Sequence, residues 1–377
     1  MNKSRGRDLG LSFAGTPGAL NAITDVSGVT VGHVTLISGS GSLETGVGPV
    51  RTGVTAVLPR GASDQRMAFG SSFAWNGSGE VTGLHWLDER GLVEGPILIT
   101  NTHSVGTVRD STVQWMRRHG WQFDWTAPIV GETYDGLLND INGCHVRAEH
   151  ADAALDSANA GPVEEGAVGG GTGMMCFEFK GGIGTASRVL NTSDGGYTIG
   201  VLVQANFGRR RSLRIGRLES INWLAQDMPY YPDPKLRPAD AAYGDSRRDE
   251  RRGLGRDGSI VVIVATDAPL MPHQLKRLAR RPALGVARLG GGDSPTSGDI
   301  FIAFSTANAN VAELVSGGVE QMLDVLVNGG LAPLFEAAAD ATEEAIVNAL
   351  VAAETMEGAD GIRVPAFPND LVRKHLA

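Results

Sequence analysis

Apolar and polar positions along the chain alternate in short strand-like runs set between glycines, with fewer and longer helical runs. "VSGVTVGHVTLI" (26–37) and "VRTGVTAVLP" (50–59) mix valine with threonine between glycines, which predicts strands. "GPILITNTHSVGTVRDSTVQWMRRHG" predicts a strand near 97–101 and a helix that stops at Gly120. "GYTIGVLVQANFG" (196–208) predicts a buried strand carrying polar residues at its end. "SIVVIVATDAP" (259–269) predicts another, followed by a helix over 271–290, and "DIFIAFSTAN" (299–308) a third. "TEEAIVNALVAAETMEG" (342–358) predicts a capped amphipathic helix closing at Gly358. Long apolar strands with helices between them imply sheets covered by helices on their outer faces, an α/β architecture.

One segment breaks the pattern. Gly244–Gly258 holds five arginines, three aspartates, one glutamate and a single leucine, so it has almost nothing to bury. It runs straight into the apolar strand that begins at Ser259. A surface loop is the plain explanation. The other is a processing linker: the Ser259 hydroxyl attacks the carbonyl of Gly258, the acyl group moves from nitrogen to oxygen, and water releases the ester. Glycine suits the upstream position because it lacks a side chain to obstruct attack and tolerates strained backbone angles. The freed amine of Ser259 would have a pKa of about 7.7–8.0, making it a base beside its own hydroxyl.

Composition narrows the partners. A formal charge of −9 argues against nucleic acid, which asks for a basic face. No apolar run reaches the ~18 residues of a spanning helix, so no membrane partner is expected. The start, "MNKSRGRDLGLSF", lacks an apolar core of signal-peptide length. That favours the cytoplasm, with the periplasm open to a chain whose leader had been removed. Two cysteines, Cys144 and Cys176, are too few for a disulfide framework and are expected as small buried apolar residues. The eight histidines include no HExxH pattern, and His145 and His150 are five apart, so neither a metal nor another cofactor is expected. "GGGTGMMCFEFKGGIGTASR" has glycines enough for a phosphate loop but not the Walker spacing, so Lys180 and Arg188 read as structural or near-site groups in glycine-rich turns.

Over most of its length, in order, the chain resembles the aminopeptidase family that contains the L-aminopeptidase/D-Ala-esterase-amidase and the bacterial β-peptidyl aminopeptidases. The matching stretches include "GTPGALNAITDVSGVTVGH", "EGPILITNTHSVG", "GETYDGLLNDINGCHV", "VLVQANFG", "GSIVVIVATDAPLMPHQLKRLARRPALGVAR" and "SGDIFIAFSTAN". The resemblance implies a four-layer αββα sandwich similar to N-terminal nucleophile hydrolases but differently connected. It also implies a precursor that cuts itself between Gly258 and Ser259. The products would be a large subunit (1–258) and a small one (259–377), intertwined in one domain and assembled as a tetramer of such heterodimers.

By the same resemblance Ser259 is the nucleophile, and Ser297 and Asp299 in "SPTSGDIFIAF" are its partners. Alternation at a strand start puts Ser297 and Asp299 on one face, from which both are expected to point towards Ser259. The β-peptidyl aminopeptidases carry glutamate where this chain has Asp299, so a longer or water-mediated hydrogen bond is expected here. Asn206, at the end of a buried strand, is the candidate oxyanion donor; a turn with Gly208 is the other reading. Glu132 matches the residue that binds the substrate's ammonium, with Asp135 and Asp140 nearby as helpers or helix caps. Trp125 and Tyr134 are candidates for apolar pocket walls, with core packing the alternative.

The expected function is therefore removal of an N-terminal residue (a small L-amino acid, D-alanine or a β-amino acid) from a short peptide, amide or ester. Two alternatives stand beside it. One is an acyltransferase similar to ornithine acetyltransferase, against which the serine at 259 speaks, since that family uses threonine. The other is a binding protein that has lost its chemistry.

Overall fold

The computed structural model describes residues 3–216, 218, 221–236, 258–292, 296–310 and 323–377. Of the expected processing linker, only Gly258 lies within them. The strands are β1 (Thr30–Ser38), β2 (Val50–Leu58), β3 (Ala68–Gly77), β4 (Leu92–Val93), β5 (Ile97–Asn101), β6 (Ile129–Thr133), β7 (Met175–Cys176) and β8 (Phe179–Lys180). They continue with β9 (Gly182–Val189), β10 (Thr198–Phe207), β11 (Gly258–Thr266), β12 (Gly298–Ser305), β13 (Met356–Glu357) and β14 (Arg363–Val364). The helices are α1 (Leu84–Arg90), α2 (Val105–Arg118), α3 (Ala148–Asp156), α4 (Pro272–Leu278), α5 (Pro282–Arg288), α6 (Leu331–Ala352) and α7 (Asn369–Leu376).

Two sheets carry the fold. One has the order β1-β2-β5-β6, the other β4-β3-β12-β11-β10-β9. Within each, a single pair is parallel, β5 with β6 and β11 with β12, and the rest are antiparallel. Strand alternation sorts β11 into two cores. Ile260, Val262 and Val264 pack outward with Leu275 of α4, Val286 of α5 and Leu334, Ala338 and Ala345 of α6. Val261, Ile263 and Ala265 pack inward with Leu202 of β10 and with Val57, Ile97 and Ile129 of the smaller sheet. That sheet in turn sends Val54, Ala56, Leu98 and Val130 outward against Val108 and Trp115 of α2 and Ala151 and Leu155 of α3. Helices, sheet, sheet, helices: the four-layer αββα arrangement follows from which side chains each face can bury.

Several expectations need correcting. The helix expected over 271–290 is two, because Pro282 cannot donate into an ongoing helix and instead starts α5. The helix expected from Thr342 begins at Leu331; Thr342 lies inside α6, where its hydroxyl donates to the Ala338 carbonyl at 2.7 Å rather than capping. It also ends at Ala352, and Met356–Glu357 belongs to the β13–β14 ribbon. Part of the glycine-rich 169–188 stretch, expected as turns, forms all of β9 but its last residue, and Gly184 there lets Ala345 of α6 approach. Cys176 is buried as expected, but Cys144 is exposed and holds a left-handed φ of 49° after a short 3₁₀ turn.

Candidate active site

The strand pairing of β10 and β11 sets Asn206 directly opposite Ser259. Each continues the inward-facing row of its strand, Leu202–Gln204–Asn206 and Ser259–Val261–Ile263, so the two side chains share the face turned to the smaller sheet. Both are buried. The Gly258 that precedes Ser259 has a φ of 68°, and a Cβ there would overlap the Asn206 carbonyl. Only glycine fits this step of the chain.

Asn206 is fixed from two sides. Its Oδ1 accepts the Met175 N–H at 2.9 Å, and its Nδ2 donates to the Tyr134 carbonyl at 2.9 Å. It is not the turn residue of the alternative reading. Met175 owes its place to Lys180, a fully buried lysine whose Nζ donates to the carbonyls of Met174 (2.6 Å) and Gly181 (2.9 Å). Burial pulls the Lys180 ammonium down to about 7. Arg188 is structural and remote in role, paired with Glu344 at 2.8 Å and likewise buried.

Across β12 the register pairs Ser259 with Gly298, whose N–H donates to the Ser259 Oγ at 3.3 Å. Ser297 and Asp299 therefore flank the residue opposite Ser259 and do not sit opposite it themselves. They do share a face: the Ser297 hydroxyl donates to Asp299 Oδ1 at 2.5 Å. The shorter acid thus reaches Ser297 directly, contrary to the expected longer or water-mediated bond. Asp299 Oδ2 accepts the amide of Asn76, its register partner on β3, at 2.7 Å. The backbone N–H of Ile260, one residue past Ser259, also bonds this carboxylate. Burial raises the Asp299 carboxyl above its ordinary range, opposed by the hydrogen bonds from Ser297 and Asn76.

Glu132 enters from the smaller sheet at the end of β6 and is buried. Its Oε2 accepts the Thr102 hydroxyl at 2.5 Å and its Oε1 the Glu80 N–H at 3.0 Å. A Cβ on Gly79 would lie 3.2 Å from both Glu132 Oε1 and Gly298 Cα, which brings the carboxylate close to the Ser259–Gly298 pair. A buried carboxylate with one backbone and one hydroxyl donor has acceptor capacity left for an ammonium.

The remaining expectations divide. Tyr134 is half-exposed and next to the site, its carbonyl holding Asn206. Trp125 is 58% exposed and packs against Trp86 with the rings tilted by 56° and their centroids 4.1 Å apart. It precedes β6, whereas Glu132 lies near that strand's end. Asp140 caps a 3₁₀ turn through the Gly143 N–H and binds His145 at 2.8 Å, a structural role. His150 caps the start of α3 through the Arg147 N–H. Asp135 is fully buried between the amides of Asn101 (3.1 Å) and Asn139 (3.0 Å). Burial pushes its carboxyl up to about 6. Among the described residues no group of three or more histidine, cysteine or acidic side chains is arranged to hold a metal. Sequence reasoning missed Asn76, Thr102 and the Tyr134 and Met175 backbone groups. Only "ITNTHS", with its polar run at a strand end, carried a signal for any of them.

Comparison with known proteins gives a consistent answer. The family model for peptidase family S58 matches residues 21–364. The β-peptidyl aminopeptidase BapA of Sphingosinicella microcystinivorans is 53% identical over 369 residues, covering 98% of this chain and 91% of that one. Among solved structures, a β-aminopeptidase from a Burkholderia species superposes with a TM-score of 0.84 at 45% identity, over 99% of this chain and 98% of the other. The L-aminopeptidase D-Ala-esterase/amidase from Ochrobactrum anthropi, described as a prototype serine aminopeptidase and a new variant among the Ntn hydrolase fold, has a TM-score of 0.85 at 42% identity over the same shares.

Proposed function

Given that this chain belongs to peptidase family S58, we propose that it is an aminopeptidase that cuts itself at Gly258–Ser259 and then removes N-terminal residues from short peptides, amides or esters. The observation that carries the proposal is the placement of Ser259: at the start of a rigid strand, opposite Asn206, beside Gly298 and within reach of the buried Glu132. The acyltransferase alternative finds no support in these relatives.

In the processing step Ser259 Oγ attacks the Gly258 carbonyl carbon. The Gly258–Ser259 C–N bond breaks as the ester forms, and the hydroxyl proton ends on the departing nitrogen. Water then hydrolyses the ester, leaving a Gly258 carboxylate and a Ser259 amine. In turnover Glu132 binds the substrate's ammonium, and Ser259 Oγ attacks the carbonyl that follows. The freed α-amine of Ser259 takes the hydroxyl proton and returns it to the leaving amine. Ser297, polarised by Asp299, holds that amine in position. The second hydrogen of the Asn206 amide meets the oxyanion, an interaction worth about 3–4 kcal/mol in hydrolases of known mechanism. No cofactor enters.

The products of the cut, 1–258 and 259–377, stay together as one intertwined unit, because β11 and β12 from the second piece lie between β10 and β3 from the first. Like the family it resembles, the processed protein forms a tetramer of such heterodimers. Substrates are small-residue aminoacyl compounds of the L-, D-alanyl or β type. No described helix is long and apolar enough to cross a membrane.

Amine recognition is tested with aminoacyl p-nitroanilides and their N-acetylated counterparts. The free amines are expected to be hydrolysed and the acetylated ones not. Glu132→Gln should raise KM at least tenfold on the free amines, since an ammonium loses its charged partner. Equal rates on acetylated and free substrates would refute the assignment.

A further inference from the structure

Between β3 and α1 the chain crosses from the larger sheet to the smaller one, and each step of the crossing is tied down. The Ser78 N–H donates to the Ser297 carbonyl at 3.2 Å. The Glu80 N–H donates to Glu132 Oε1 at 3.0 Å. Val81 bridges Gly131, and the Thr82 N–H donates to the Val130 carbonyl at 3.0 Å. This strap is thus bonded at one end to the Ser297 segment and at the other to the carboxylate assigned to the substrate's amine.

At Gly79 the strap has Glu132 on one side and Gly298 on the other. The φ of Gly79 lies outside the left-handed region, so glycine is not there for backbone reasons. Space is the reason: a Cβ would sit 3.2 Å from Glu132 Oε1, 3.2 Å from Gly298 Cα and 3.8 Å from Ile300 Cδ1. From the other side, a Cβ on Gly298 would meet Gly79 Cα and the Ser78 carbonyl oxygen, each at 2.9 Å. Two facing glycines therefore let the strap lie flat between the Glu132 carboxylate and β12, whose Gly298 is the register partner of Ser259.

We propose that Gly79 is a specificity-determining residue: the thickness of the strap at this point sets the distance from the ammonium anchor to the nucleophile, and with it whether α- or β-amino acyl groups fit. The inference rests on Glu132 being the ammonium anchor and Ser259 the nucleophile. An α-amino acid has one carbon between its nitrogen and its carbonyl carbon; a β-amino acid has two. Substrates of the two kinds differ in reach by about one bond, so displacing the anchor by a fraction of an ångström acts on them unequally. A methyl group at 79 forces Glu132 and Gly298 apart by a few tenths of an ångström, which favours the longer substrate.

The test compares kcat/KM on L-alanyl and β-alanyl p-nitroanilide for wild type and Gly79→Ala. The β/α ratio is expected to rise about threefold to tenfold in the variant. Both rates come from one preparation, so the ratio is blind to the fraction of enzyme that is folded or processed. A wild type that hydrolyses neither substrate would defeat the parent reading. A normal wild type with an unchanged or lowered ratio in Gly79→Ala would defeat this inference alone. Should Gly79→Ala fail to fold, Glu132→Asp provides the second measurement: it draws the anchor back by one methylene and is expected to move the ratio in the same direction. An unmoved ratio there overturns the proposal.

Discussion

At the scale of single residues, the candidate site is a set of polar groups whose geometry is set by neighbours that sequence reading does not identify. Asp299 was legible only through a family resemblance, and its shorter side chain suggested a poor contact with Ser297. The 2.5 Å bond shows otherwise, because Asn76 and the Ile260 backbone hold the carboxylate where Ser297 meets it. Asp299→Asn offers an N–H₂ or a weaker acceptor to a hydroxyl that must donate. Its kcat is expected to fall about 10²-fold with KM nearly unchanged, measured on one p-nitroanilide. A loss confined to KM would contradict the assigned role. Asp135 makes a different prediction. Burial raises its native carboxyl to about 6 from an ordinary 3.8, so the folded chain holds an extra proton between those pH values. The associated stability is fully present below about pH 4 and is lost as pH rises through 6. Asp135→Asn removes that titration. The Tm of wild type relative to the variant should therefore drop from pH 4 to pH 7, and a constant difference would rule the explanation out.

Secondary elements were more legible than single contacts. Valine-rich runs such as 50–58 and 259–266 announce strands because both their faces are buried in a four-layer fold, and the structure has them as β2 and β11. β3 and β9 escaped because serines and glycines dilute the apolar signal. In β9 the glycine is there to admit a helix backbone. The start of α6 escaped because an interior threonine that bonds back to Ala338 looks, in sequence, like a cap. β11 is the element on which the proposed function turns. Its first residue, Gly258, has a φ of 68° and no room for a Cβ beside Asn206. Gly258→Ala must therefore shift the strand's first step, and the chain should remain uncut on a denaturing gel. Processing at the wild-type rate would show that the geometry of this step is irrelevant.

For the whole molecule, the stacking of layers matters more than any one element. The proposed nucleophile and oxyanion donor come from the larger sheet, the proposed ammonium anchor from the smaller, and the inter-sheet core holds the two in register. The four-layer architecture could be anticipated from strands and helices together with the family resemblance. The crossing strap at 78–82 could not, since its residues carry no periodic pattern and its position depends on both sheets being in place. A cut before Ser259 leaves β11 and β12 enclosed by strands of the other piece, so the two pieces should co-elute under native conditions and separate only in denaturant. Intact-mass measurement in denaturant, on wild type and on Ser259→Ala, tests the central claim most directly. The account predicts two fragments from wild type, the smaller beginning at Ser259, and one uncut chain from the variant. A wild type that is uncut yet hydrolyses aminoacyl substrates, or a Ser259→Ala chain that still splits at this junction, would contradict it.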